Sequence, residues 1–314
     1  MNIKLAKPIS MAIAGAAMSA GASSALAGNT IYNTYAAELV PTAADAPAGG
    51  GSQTLGTDGW VYGKSTAPNG VASPGFVGIG GSSSVSSSTP FSYTGGAIVN
   101  WGVELSNAQD SATISQADAY ARYGVYANID AAAGSWSDAS RTGASGWKHN
   151  TDVGLFISDV TTDVRLTATG VTTDGSGNII SDPNNAFGFT IFKGMDTSTG
   201  AYGHHGSWNA GNNTSGVTSS SLLPGTTFTT ADVVAYSVGG INPLNISDIS
   251  FHALAGQVYT IVMGGYQNGA WNKTVEGYSL SVTAVPVPAS AWLFGSALVG
   301  LLRFGRRKIY LTAA

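Results

Sequence analysis

Val99-Asn100-Trp101-Gly102-Val103-Glu104-Leu105 alternates large apolar residues with polar or small ones. Side chains on an extended chain point to opposite faces in turn, so Val99, Trp101, Val103 and Leu105 share one buried face. The same period of two returns at Tyr123, Val125, Ala127 and Ile129. Further candidate strands lie at 153–157, 164–168, 187–192, 233–238, 258–263 and 278–284. Turn-forming runs separate them: Asp174-Gly175-Ser176-Gly177-Asn178, Asp182-Pro183-Asn184-Asn185, Gly264-Gly265 and Asn268-Gly269. Apart from the two chain ends, no segment carries a sustained helical stripe with caps. The expected fold class is all-β, an antiparallel β-sandwich with a Gly/Ser-rich N-terminal region and helical terminal signals.

Upstream of this pattern, 28–90 is rich in Gly, Ala, Ser and Pro, with linker-like runs at 48–52 and 80–88. Trp60-Val61-Tyr62 and Phe76-Val77-Gly78-Ile79 are short strand candidates within it. The expected organisation is a leader at 1–27, a loosely ordered region at 28–90 docked on the main body, a sandwich at 91–284, and a tail at 285–314.

Both ends read as processing signals. Lys4 and Lys7 precede a small apolar stretch at 9–22, and Ala25-Leu26-Ala27 forms a small-residue cleavage site before Gly28. The other end runs Val285-Pro286-Val287-Pro288-Ala289, then an apolar stretch to Leu302, then Arg303-Phe304-Gly305-Arg306-Arg307-Lys308. A helix of about 14 residues rises roughly 21 Å, short of the ~30 Å hydrocarbon core, so it makes a poor permanent anchor. The basic cluster behind it stays cytoplasmic by the positive-inside rule.

This three-part tail resembles the PEP-CTERM sorting signal, with Val287 where the family's name has Glu. The resemblance rests on Val285 to Ala289, on Trp292-Leu293-Phe294-Gly295-Ser296, and on Arg306-Arg307-Lys308. It implies a Gram-negative host that makes exopolysaccharide. It also implies processing by exosortase and signal peptidase, delivery to the outer surface or extracellular matrix, and only transient membrane contact through the tail. Exopolysaccharide is then a candidate surface partner.

Charge and composition agree with an exported β-protein. Six of the 13 basic residues lie in the two tails and none of the 17 acidic ones does, leaving seven positive against 17 negative residues, a net of −10. Such a chain lacks the basic footprint of a nucleic-acid binder. There is no Cys, hence no disulfide, thiolate metal site or Cys nucleophile. No nucleophile elbow, zincin helix motif or phosphate-binding loop is present, so an enzyme is not expected. The turn 174–178 with Asp182 has the composition of a Ca²⁺ loop but not its ligand spacing, and reads as a hairpin turn.

The four histidines are His149, His204, His205 and His252. His149 follows Gly146-Trp147-Lys148; on extended chain Trp147 and His149 share a face. His204 and His205 sit in Tyr202-Gly203-His204-His205-Gly206-Ser207-Trp208, and point oppositely if extended. His252 reads as an edge or outward-facing strand residue. Without Cys, imidazole is the strongest ligand the chain can offer copper or zinc; loop histidines beside aromatic turns is the plainer reading.

The stretch from Trp147 to Val282 resembles the copper-repressible surface proteins of methane-oxidising bacteria, the MopE/CorA type. That resemblance implies a Cu(I) site in which Trp147 is oxidised to kynurenine, His149 is one imidazole, and His204 or His205 is the other. An intact indole N–H donates a hydrogen bond but offers a metal no lone pair, whereas kynurenine carries an aniline nitrogen that does. Two functions are therefore expected of this sequence: copper acquisition at the cell surface, or a structural or adhesive role in the polysaccharide matrix without a metal. A zinc site using His252 as a third imidazole is a more distant reading.

Overall fold

A computed structural model of the chain describes residues 27–34, 75–95, 99–125, 127, 129, 133–136, 151–173, 179–182, 186–198, 226–236, 248–266 and 278–285. The chain is an all-β sandwich of two sheets with their inner faces packed together.

The smaller sheet runs in the order β11 (Asp248–Ala253), β7 (Thr162–Thr173), β13 (Tyr278–Val285) and β4 (Ser111–Ile114), with β8 (Ile179–Asp182) also paired to β7. Every pairing in it is antiparallel. Alternation is strict because only one face is buried. Val164, Leu166, Ala168, Leu280, Val282 and Ala284 point inward and are buried. Between them Asp163, Arg165, Ser279, Ser281 and Thr283 line the outer face.

The larger sheet runs β10 (Val233–Tyr236), β9 (Ala186–Lys193), β12 (Tyr259–Tyr266), β6 (Thr151–Ser158), β3 (Trp101–Leu105), β1 (Asn29–Asn33) and β2 (Phe76–Val77), with β5 (Ala133–Trp136) also paired to β12. Its pairings are antiparallel except β3 with β6 and β5 with β12. The β3–β6 pair is parallel because the chain crosses to the other sheet as β4 before returning, and parallel neighbours need such a crossover.

Its central strands read as nearly continuous apolar runs, since both of their faces are covered. Trp101, Phe156, Phe189, Ile191, Ile261 and Met263 face the other sheet. Val153, Leu155, Phe192 and Val262 face outward and are covered by Tyr93, Val99 and Phe228. Phe228 stacks on Phe192 with ring centroids 4.3 Å apart. Each fully buried large side chain contributes on the order of 1.5–3 kcal/mol.

Among the described residues, Tyr123, Val125, Ala127 and Ile129 lie in no strand. Gln116–Tyr123 forms a helix, α1, whose N-cap Ser115 accepts a hydrogen bond from the Asp118 N–H and whose C-cap Gly124 is left-handed at φ 69°. The alternation at 123–129 arises where the last helical residue meets the following chain, so a short two-residue period there carried no strand. The helix escapes a periodicity scan because it spans little more than two turns and fully buries only Ala119.

Strands on both sides of residue 90 share one sheet. Thr30 pairs with Val103 and Tyr32 with Val77, so β1 and β2, which lie within 28–90, are integral to the body. The other strand candidate of that region, Trp60-Val61-Tyr62, lies outside the described residues, as do 1–26 and the tail 286–314.

Candidate functional site

Trp147, His149, His204 and His205 lie outside the described residues. The strands that flank them define where each segment attaches. The segment carrying Trp147 and His149 leads into Thr151, which pairs with Gly264, itself opposite Gly188. The segment carrying His204 and His205 leaves after β9, whose last residue, Lys193, pairs with Tyr259; Tyr259 in turn pairs with Phe156. From the Gly188 row to the Lys193 row the sheet measures roughly 17 Å at about 3.4 Å per residue.

The second attachment point is tied down by Asp196. Its Oδ1 accepts from the Ser198 and Thr227 backbone N–H groups at 2.9 and 3.0 Å, and from the Thr227 hydroxyl at 3.3 Å. Asp196 thus clasps both ends of the connection between Ser198 and Thr226. A centre joining His149 to His204 or His205 requires that connection to run much of the height of the sheet from its clasped end.

His252 sits on β11, the edge strand of the smaller sheet, turned to solvent, as its alternation with Ile249, Phe251 and Ala253 implies. Its Nδ1 lies 2.8 Å from Asp163 Oδ1, both side chains being about 60% exposed. Among the described residues no three His, Asp or Glu side chains gather as a metal-binding group.

Two polar constellations emerge that sequence reasoning missed. In the first, the Trp101 indole N–H donates to the Tyr278 hydroxyl at 2.7 Å, and that hydroxyl donates to Asp152 Oδ2 at 2.5 Å. All three residues are buried between the sheets. The ring of Trp101 lies over Gly154, where a Cβ would overlap it. Asp152 stands three positions after His149 and points into the core, on the same face as Gly154 and Phe156. The available signal was the parity of Asp152 with Phe156, an acid on an otherwise core-facing set.

The second centres on Asp118 of α1. Its Oδ2 accepts from the Tyr32 hydroxyl at 2.6 Å and the Thr30 hydroxyl at 3.0 Å, and its Oδ1 from Arg122 Nε at 2.9 Å. Burial, reinforced by the Asp118 charge and hydrogen bond, pushes the Tyr32 phenol far above its ordinary pKa. Burial works against the Arg122 cation, but the hydrogen bond and charge of Asp118 outweigh it and the guanidinium ends more firmly protonated. Ser115 three residues before Asp118, and Asp118 four before Arg122, are the local signs of this cluster.

Beside it opens a cleft of about 560 Å³ with mixed polar and apolar walls, lined by Gly28, Asn29, Ser106, Asn107, Asp110 and Arg122, among others. Arg122 reaches across to the Gly28 carbonyl at 3.1 Å, and the Asp110 carboxylate accepts from the Ser106 and Asn107 N–H groups at 2.9 and 2.8 Å.

Set against protein-family models, curated proteins and solved structures, the chain matches none of them.

Proposed function

We propose that this is an exported protein, sorted to the cell surface through its C-terminal tail, whose sandwich serves as a structural or adhesive component of the extracellular polysaccharide matrix. One observation supports the reading: the first and last described strands, β1 and β13, lie between the two expected processing junctions. At one end Ala27 is exposed while Gly28 is buried against β4, so the expected leader junction falls at the edge of the folded core. At the other, β13 ends at Val285, the first residue of the Val-Pro-Val-Pro-Ala motif. Cutting at both junctions removes no described strand. The Asp152–Tyr278–Trp101 cluster supports the scaffold role, since it joins the two sheets through the core.

The test is to express the full chain in an exosortase-competent host and in its exosortase-deleted counterpart, and to measure intact mass in each cell fraction. A chain running from Gly28 to near Val285 in the matrix fraction of the competent host alone supports the reading. A full-length chain retained in the cytoplasm of both hosts defeats it.

A second reading is favoured by Trp147 and His149, whose segment leads directly into an anchored central strand. Here the protein holds Cu(I) through kynurenine derived from Trp147, through His149, and through His204 or His205. Purification from a copper-limited native host checks it by mass and metal content. An oxidised Trp147 with copper that is lost in His149→Ala supports this centre; an unaltered Trp147 without copper removes it.

A further inference from the structure

The junction between Ala27 and Gly28 has a structural setting that its sequence does not announce. The Gly28 N–H donates to the Ser111 carbonyl at 2.8 Å, its carbonyl accepts from Arg122, and a Cβ on Gly28 would stand 2.5 Å from Leu105 Cδ2 and 3.0 Å from the Glu104 carbonyl. Only glycine fits there without a shift of the neighbours. Gly28 lines a cleft together with Ser106, Asn107 and Asp110.

We propose that this cleft is a binding site for the chain's own new amino terminus, the α-ammonium group of Gly28 released by leader cleavage. Hydrolysis by a signal peptidase places the hydroxyl of water on the Ala27 carbonyl carbon and leaves the Gly28 nitrogen as an amine, protonated at neutral pH. That nitrogen then carries three donors in place of one. One keeps the Ser111 carbonyl; the others face the cleft that Asp110, 2% exposed, helps to line. The neighbouring cation, Arg122, is matched by Asp118 at 2.9 Å, while the Asp110 carboxylate, hydrogen-bonded by the Ser106 and Asn107 N–H groups and the Asn107 amide, has no ion-pair partner among the described residues. Capture of a terminal amine by converging carbonyl and carboxylate acceptors is a known recognition mode. Cleavage thereby adds a charge-assisted contact to β1, which the precursor lacks, and favours the processed form over the uncleaved one.

This inference rests on the export reading, and one experiment separates the two. N-terminal sequencing of the secreted chain comes first: a start other than Gly28 overturns the junction and the inference with it. Given that start, the melting temperatures of chains running to Val285 and beginning at Gly28 or at Ala27 are compared, each with Asp110 and with Asp110→Asn. The Gly28 chain should melt higher by about 2–4 °C, and Asp110→Asn should erase the gap. Equal melting temperatures overturn the inference while leaving export intact. Should Asp110→Asn fail to fold, reductive methylation of the α-amine decides. Modification about tenfold slower at Gly28 than at Ala27 supports capture; equal rates overturn it.

Discussion

The indole of Trp101 lies on the bare backbone of Gly154, its neighbour in the parallel β3–β6 pair, where any side chain would overlap the ring. This close approach lets Trp101 reach across the core to the Tyr278 hydroxyl. The contact therefore joins a requirement for glycine to a hydrogen bond between sheets.

Replacing Gly154 with Ala should be among the most damaging single changes. A methyl group there forces the largest buried side chain out of its place, and overpacking of this kind costs about 3 kcal/mol or more. Urea denaturation should show a lowered midpoint or no folded baseline; a midpoint matching the wild type would exclude the overlap.

Tyr278→Phe keeps the ring and removes the hydroxyl that links Trp101 to Asp152. Two buried polar groups then each lose a partner, at a cost of about 1–3 kcal/mol apiece in gross terms. The expected result is a lower thermal midpoint together with a change in Trp101 fluorescence. Fluorescence unchanged alongside wild-type stability would mean that the network is energetically idle.

Ser115→Ala removes the cap of α1 and should cost about 1 kcal/mol. Amide exchange is the sharper reading: protection should fall at Asp118 and Ala119, whose N–H groups bond Ser115, and stay intact in β12.

Arg165 and Asp248 form an exposed pair at 2.5 Å on the outer face of the smaller sheet, with side chains 55% and 44% exposed. Burial raises the Asp248 pKa, but hydrogen bonds from Thr167 and Arg165 and the Arg165 charge together outweigh it, leaving the carboxyl below its ordinary value. A depressed carboxyl stabilises the fold above its unfolded pKa, and this is lost as the pH falls below about 3.9 and through the folded value. At neutral pH, Arg165→Ala should cost no more than about 0.5 kcal/mol because solvent screens the pair. That small cost should shrink with added salt and vanish in acid.

Much of the fold was written in local pattern. Alternation at 101–105, 164–168 and 278–284 marked β3, β7 and β13 because each has an inward face that must be apolar, whatever partner it finds. Val99, expected on the face of Trp101, packs on the outward side of the sheet instead. The outward turn of His252 followed from the same parity. The helix at Gln116–Tyr123 was not legible through apolar periodicity, since its place depends on Asp118 meeting Tyr32 and Thr30, residues more than 80 positions away. Asp152 showed its inward parity with Phe156, but not what would satisfy a carboxylate there. A carboxylate enters the interior only where a partner awaits it, and Tyr278 lies 126 positions further on.

Sequence alone marked β3, β6, β7, β9, β10, β12 and β13 and the absence of thiol chemistry, because these depend on neighbouring residues and on the chain's own composition. The expected turn at Gly264-Gly265 instead continues β12. Tertiary structure alone decided strand order, the parallel β3–β6 pair, the joining of β1 to the body, and the burial of Gly28 against Leu105. These depend on residues far apart in the chain excluding each other's volume and satisfying each other's polar groups, which no local period encodes.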